Sequence, residues 1–385
     1  MIPARPAIDA SSLRLALFTD TYPPQVNGVS RTLERLVAAV EARGGVAQVF
    51  TVEDPDAGVS PQVCRYRSVP FWAYKQLRLS WPSTRRARRD VAAFAPTLIH
   101  AATEFGVGLA GRRVAKALDV PFVSSYHTSF TAYARFYKLG ALAHPGWSYL
   151  RWFHNGGQRT YCPTQAIVNE VRVEGFRNTM VWSRGVDVAR FSPRFRSATL
   201  RTTIGADDAT LVVAYVGRLA AEKGLEVGLH AMRLVEAARP GRAQFMAVGD
   251  GPFTADVHRL APTGSWLPGK LQGDALSEAY ASADVFLFPS ITDTFGNVLL
   301  EAMASGLPVV GADVGPTREQ LHPDRGWLVP PQDPQAFANA IVALIDDRAR
   351  LAAARSAALA FAASKTWDLV WDLLIDDYLT IHRVR

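Results

Sequence analysis

The sequence predicts an α/β protein made of two Rossmann-like domains facing a cleft, each a mostly parallel sheet flanked by helices. Three observations lead there. Short apolar runs alternate with helix-periodic segments, the pattern of a parallel sheet. The alternation restarts near residue 210, and a chain of 385 residues suits two domains better than one.

Residues 13–19 (LRLALFT) read as a buried strand, and residues 29–43 place Leu33, Leu36, Val37 and Val40 on one helical face. Between them DTYPPQVNGVS carries two prolines and then Asn27-Gly28, which permits a tight turn with outward-facing amides. Residues 46–52, 97–101 and 121–125 are further strands, each separated by helix-like segments. The second half opens with strand 210–216 (TLVVAYV) and a helix near 226–238. It continues through strand 243–248, a helix near 275–281, strand 285–288, helix 297–304 and strand 307–310. The domain change is expected within 185–196 (GVDVARFSPRFR), where periodicity lapses around a proline. The expected domains are therefore 1–185 and 186–365. Residues 366–385 are expected as a terminal helix crossing back to the first domain, with Trp367, Val370, Leu374 and Tyr378 on a packing stripe.

Hydrophobic residues at 49% and charged residues at 20% describe a globular chain with a sizeable core, excluding disordered and fibrous classes. Cys64 and Cys162 have no metal-ligand or disulfide-framework spacing, so a reducing compartment is expected. The first residues carry no signal-like apolar stretch, and no window reaches the length needed to span a bilayer, so a cytoplasmic location is expected. The net charge of +7 admits nucleic acid, anionic lipid or nucleotide phosphates as partners. No helix-turn-helix, zinc module or RNA-binding sheet signature accompanies it, so nucleic acid is not expected.

The chemistry-bearing residues concentrate in the second half. In PSITDTFGNVLLEAMASGLPVVG (289–311), Asp293 lies in the loop leaving strand 285–288, where open α/β sheets bind ligands. Glu301 falls about two turns into the next helix. That helix's N-terminus, near Gly296 and Asn297, turns amides and a positive dipole end toward a pyrophosphate. One carboxylate can thus meet sugar hydroxyls and the other a ribose. VGRLAAEKG (216–224) sets Arg218 and Lys223 at the mouth of the same crevice, where two cations can neutralise a departing diphosphate.

The conjunction of GRLAAEKG, VGDGP (248–252), LQG (271–273) and DTFGNVLLEAMASG resembles the retaining GT-B glycosyltransferases of family 4, in particular bacterial mannosyl- and glycolipid-forming members. The resemblance covers nearly the whole chain, including NGVS, SSYHTSF around His127, and SRGVD (183–187). It implies a hexosyl transfer from GDP-mannose or a UDP-hexose to a hydroxyl of a lipid or glycan. It further implies that Arg218 and Lys223 grip the diphosphate and that Glu301 takes the ribose hydroxyls. Asp293 and the Phe295 and Gly296 amides would hold the sugar, within a segment that includes Thr294 and Asn297. The family usually has glutamate where Asp293 stands, so the reach is shorter here. Asn27 and Gly28 would form a first-domain loop near phosphate or acceptor, and His127 would contact the donor sugar. Gly249 and Gly251 would line the nucleotide side, with Leu271 and Gly273 in the LQG turn. The implied mechanism is front-face attack with retention, needing no cofactor and no metal, and closure about a hinge near Gly185. A double displacement would have Asp293 as its candidate carboxylate.

Two competing functions are distinguishable. A nicotinamide-dependent oxidoreductase would want a G-x-G-x-x-G turn after a strand, and the first turn offers only Asn27-Gly28. An idle sugar-nucleotide or membrane-binding protein would bind without turnover. Asp54-Pro55-Asp56 reads as a solvated turn rather than a metal motif, and His144 and His154 as structural. Arg85, Arg86, Arg88 and Arg89 follow Phe71, Trp72, Tyr74 and Trp81, and residues 130–153 are also rich in aromatics. These features fit either an anionic membrane surface or a solvated helix face with ordinary packing.

Overall fold

A computed structural model describes residues 8–25, 27–71, 74–127, 140–293 and 295–383. The chain divides into two compact units, Met1–Ser183 with Asp368–Arg385, and Arg184–Trp367.

The first unit contains β1 (Arg14–Phe18), α1 (Gly28–Ala42), β2 (Val46–Val52), β3 (Val63–Tyr66), β4 (Val69–Phe71), β5 (Tyr74–Leu79) and α2 (Thr84–Phe94). It continues with β6 (Leu98–Ala101), α3 (Gly106–Leu118), β7 (Phe122–Ser125), α4 (Gly140–His154), β8 (Arg159–Cys162), α5 (Gln165–Val173) and β9 (Thr179–Val181). Its main sheet runs β3-β2-β1-β6-β7-β8-β9, and every pairing in it is parallel. The strand order reverses between β1 and β6, so the loops after these two strands diverge and leave a crevice at their C-terminal ends. The expectation of helix-like segments alone between residues 52 and 97 is corrected: β3 and the antiparallel β4–β5 hairpin stand there before α2.

The second unit contains α6 (Ala198–Thr203), β10 (Leu211–Val216), α7 (Leu225–Ala238), β11 (Ala243–Val248), α8 (Thr254–Leu260), β12 (Trp266–Gly269) and α9 (Gly273–Ser282). It continues with β13 (Val285–Phe288), α10 (Asn297–Ala304), β14 (Val309–Ala312), α11 (Gly315–Gln320), β15 (Gly326–Val329), α12 (Pro334–Asp346) and α13 (Arg348–Ala363). Its parallel sheet runs β12-β11-β10-β13-β14-β15, with the reversal between β10 and β13. LVVAYV is apolar throughout because both of its faces are covered. Leu211, Val213 and Tyr215 join the core with Leu229 and Met232 of α7 and Phe337 and Ile341 of α12. The alternate residues Val212, Ala214 and Val216 join Tyr280 of α9, Met303 of α10 and Ala358 of α13.

The terminal helix α14 (Trp367–Arg383) returns to the first unit, as its apolar stripe predicts. Val370, Leu374 and Tyr378 are buried, and so are Trp371, Ile375 and Leu379, which makes the stripe wider than expected, while Trp367 is only half-buried. Ion pairs fix its register. Arg43 Nε meets Asp372 Oδ1 at 2.8 Å, and Arg159 holds Asp377 through two nitrogens at 2.8 and 3.0 Å.

Candidate active site

In the second unit, three loops leave the C-terminal ends of the strands beside the reversal: 217–224 after β10, 249–253 after β11 and 289–296 after β13. Gly224 lets the first and third of these meet. Its φ of +69° is left-handed, and a Cβ there would lie 2.4 Å from the Pro289 carbonyl oxygen. The Thr292 hydroxyl ties the same loops by donating to the Glu222 carbonyl at 3.1 Å.

This approach brings Lys223 Nζ to 2.8 Å from Asp293 Oδ1, although the two residues are 70 positions apart. Their side chains keep 18% and 25% of their exposure, enough to be reached by a ligand. Arg218 is more exposed, and its guanidinium pairs with Glu222 Oε1 at 3.1 Å. The buried Tyr215 hydroxyl donates to the Arg218 carbonyl at 2.9 Å, steadying the loop. Burial raises that phenol's pKa, with the Asp293 charge adding to the effect, so it stays a donor.

Helix α10 begins after Gly296, which has φ +76° and no side-chain cap. The Phe295 carbonyl accepts from Gln320 Nε2, and Asn297 Oδ1 is buried with no hydrogen-bond partner among the described residues. Glu301, half-buried in this helix, accepts from the Tyr280 hydroxyl at 2.9 Å. Thr294 lies outside the described residues.

Gly249 has a packing reason for its identity: a Cβ there would sit 1.8 Å from the Gly217 carbonyl oxygen. Gly251 is likewise pressed on the Leu219 carbonyl, where a Cβ would come within 2.2 Å. Both glycines thus hold the β10 and β11 loops together. Leu271 packs against the core, and Gly273 is the exposed first residue of α9.

In the first unit, Asn27 is the N-cap of α1. Its Oδ1 accepts from the Ser30 amide at 2.9 Å, and its Nδ2 donates to Thr21 Oγ1 at 2.7 Å. Gly28 is the first residue of that helix. Capping engages Oδ1 and the Thr21 hydroxyl engages Nδ2, so both polar atoms of the Asn27 side chain are paired. His127 follows β7, with Nε2 2.8 Å from Ser125 Oγ and its ring edge-on to Trp182 at 5.5 Å. His154 is buried with Nδ1 2.8 Å from Ser124 Oγ, a structural placement.

Sequence reasoning missed Glu222, Tyr280 and Thr292. Glu222 had a local signal, since it stands four residues after Arg218. Tyr280 and Thr292 had none.

Comparisons with known proteins bear on the family and the fold. The profile described as Glycosyltransferase Family 4 matches residues 26–190, and that described as Glycosyl transferases group 1 matches residues 210–347. The chain is 33% identical to a GDP-mannose-dependent alpha-mannosyltransferase of Mycobacterium tuberculosis, covering 95% of this chain and 96% of the relative. It is 29% identical to an alpha-monoglucosyldiacylglycerol synthase of Streptococcus pneumoniae, covering 77% and 70%. The crystal structure of Anabaena HepE in complex with UDP-glucose superposes with a TM-score of 0.74 at 21% identity, covering 96% of this chain and 99% of that one. Two Rossmann-like units of the GT-B fold, matched by both family profiles and by the named relatives, define a hexosyltransferase of the GT-B class. The chain belongs to glycosyltransferase family 4.

Proposed function

We propose that the protein transfers a hexosyl unit, with retention of anomeric configuration and without a metal ion, from GDP-mannose or a UDP-hexose to a hydroxyl of a lipid or glycan. The Lys223–Asp293 pair at 2.8 Å carries this reading, because it puts a phosphate-neutralising cation beside a carboxylate able to hold sugar hydroxyls. Lys223 and Arg218 bind the diphosphate and stabilise its charge as it leaves. Glu301 holds the ribose, and Asp293 with the Phe295 and Gly296 amides holds the sugar. His127 acts on that sugar from the first unit.

The acceptor oxygen bonds to the anomeric carbon on the face from which the diphosphate departs. The carbon–oxygen bond to phosphate breaks with its electron pair on the phosphate, and a phosphate oxygen takes the acceptor proton. Charge stabilisation by the two side-chain cations supports a metal-independent route. The relative named for GDP-mannose and the neighbour solved with UDP-glucose support the two donors. The family assignment leaves the nicotinamide alternative without support, and no observation favours an idle binding protein.

A lipid acceptor at the cytoplasmic face of a membrane is supported by α2. Arg85, Arg86, Arg88 and Arg89 are all exposed on it, the buried face is Ala87 and Val91, and Trp81 just ahead of it is 68% exposed. The synthase named for diacylglycerol agrees with such an acceptor. No helix among the described residues is long and apolar enough to cross a membrane. Trp72 and residues 128–139 lie outside the described residues, as do the side chains of Phe71, Tyr74 and residues 140–143.

A panel of sugar nucleotides tests the reading: GDP is released from GDP-mannose, or UDP from a UDP-hexose, in the presence of lipid acceptors. Release from neither overturns it. Glu301→Gln raises the donor KM by about ten- to a hundred-fold, the range for a lost hydrogen bond to a charged group. An unchanged KM removes Glu301 from the ribose site.

A further inference from the structure

A buried hydrogen-bond chain in the first unit joins the terminal helix α14 to His127. The Tyr378 hydroxyl lies 2.7 Å from His100 Nδ1, His100 Nε2 lies 3.0 Å from Ser125 Oγ, and Ser125 Oγ lies 2.8 Å from His127 Nε2. Tyr378, His100 and Ser125 are fully buried, with the Tyr161 and Trp182 rings around His100.

The direction of this chain follows from its buried end. Burial raises the Tyr378 phenol's pKa well above its ordinary value, so it keeps its proton. Among the described residues its acceptor is His100 Nδ1; pointing the proton elsewhere would leave a buried donor unpaired. Burial also lowers the His100 pKa to about 3, so its ring is neutral and carries its single hydrogen on Nε2, donating to Ser125 Oγ. Ser125 then gives its own hydrogen to His127 Nε2. A ring that accepts at Nε2 carries its hydrogen on Nδ1.

We propose that Tyr378 is a positioning residue that acts through His100 and Ser125 to set His127 as an Nε2-accepting, Nδ1-donating ring. The proposal rests on the reading above for the role of His127 in transfer, but its structural content does not. The docking of α14, secured by the Arg43–Asp372 and Arg159–Asp377 pairs, completes the device.

The test is nitrogen-15 spectroscopy of the histidine-labelled full chain, with the His127 signals assigned by their loss in His127→Gln. The native protein shows the Nδ1–H tautomer. Tyr378→Phe retains the packing but removes the first donor, so the His127 signals move toward the Nε2–H tautomer. In the same variant kcat falls about five-fold with donor KM within about two-fold, the size of one lost hydrogen bond. Ser125→Ala produces the same spectral change by removing the last donor, and it serves if Tyr378→Phe does not fold. An Nε2–H tautomer in the native protein, or unchanged tautomer and kcat in the variants, overturns the proposal. Loss of transfer in His127→Gln with no effect of Tyr378→Phe on tautomer or rate rejects the relay and keeps the function. A tautomer change in a protein that cleaves no sugar nucleotide rejects the function and keeps the relay.

Discussion

Lys223→Met lowers kcat for hexosyl transfer by about a hundred- to a thousand-fold, the range for removing one preorganised donor aimed at developing negative charge. Lys223 lies against Asp293 in a partly enclosed position, so its charge is screened less than that of a surface lysine. The substitution also leaves the Asp293 carboxylate without its ion-pair partner beside an anionic leaving group, which raises the barrier further. Arg218 is more exposed and shares its charge with Glu222, so Arg218→Met has the smaller effect of the two. Single-turnover kinetics at saturating donor, with thermal unfolding as a control on folding, provide the check. A Lys223→Met enzyme retaining more than a tenth of the native rate would remove the clamp from the mechanism.

Asp20→Asn makes the first unit lose more stability on acidification than the native chain does. Asp20 is buried after β1, accepting from the Thr103 hydroxyl and from the Val107 amide at 2.8 Å. Burial raises its pKa to about 6, outweighing those hydrogen bonds. The folded state therefore binds a proton between pH 6 and 4 that the unfolded state does not, and acidification through this window stabilises by about 1.4 kcal/mol per pH unit. His100 works in the opposite sense. Its pKa is about 3 when folded and about 6.5 when unfolded, so stability present above pH 6.5 is lost by a similar amount per unit below it. The two nearly offset each other from pH 6 to 4. Asparagine removes the Asp20 contribution alone, and the variant loses about 3 kcal/mol between pH 6.5 and 4.5. Hydrogen exchange of the β1 and β6 amides across this range reads the effect. Parallel profiles for the variant and the native chain would show that Asp20 is ionised throughout.

Much of the architecture was legible because strand burial leaves a local record. LVVAYV and VFLF are apolar at every position since a parallel strand covered on both faces has no solvent side to mark. β2, β11, β13 and α10 accordingly match their predicted limits, and the loops carrying Arg218, Lys223 and Asp293 emerge at strand ends where register alone puts them. Besides helices α12 (13 residues) and α13 (16 residues) and the six-residue β5, the elements that escaped notice are short strands: β3, β8, β12 and β15 have four residues each, and β9 has three. Their alternation is too brief to separate from a loop, and pairing with a neighbouring strand is what makes them strands. Asn27 shows the converse limit, since its turn-forming character was evident while the engagement of both its polar atoms around the start of α1 was not.

By itself the sequence determined which residue types stand at the ends of which strands, because hydrophobic periodicity is a local property of the chain. Tertiary structure alone decided which of them meet. Lys223 reaches Asp293 only because β10 and β13 are neighbours in the sheet and Gly224 can lie on Pro289. Tyr378 reaches His100 across 278 positions only because α14 returns to the first unit. Such contacts depend on sheet order and on chain return, which no periodicity within a short window can record.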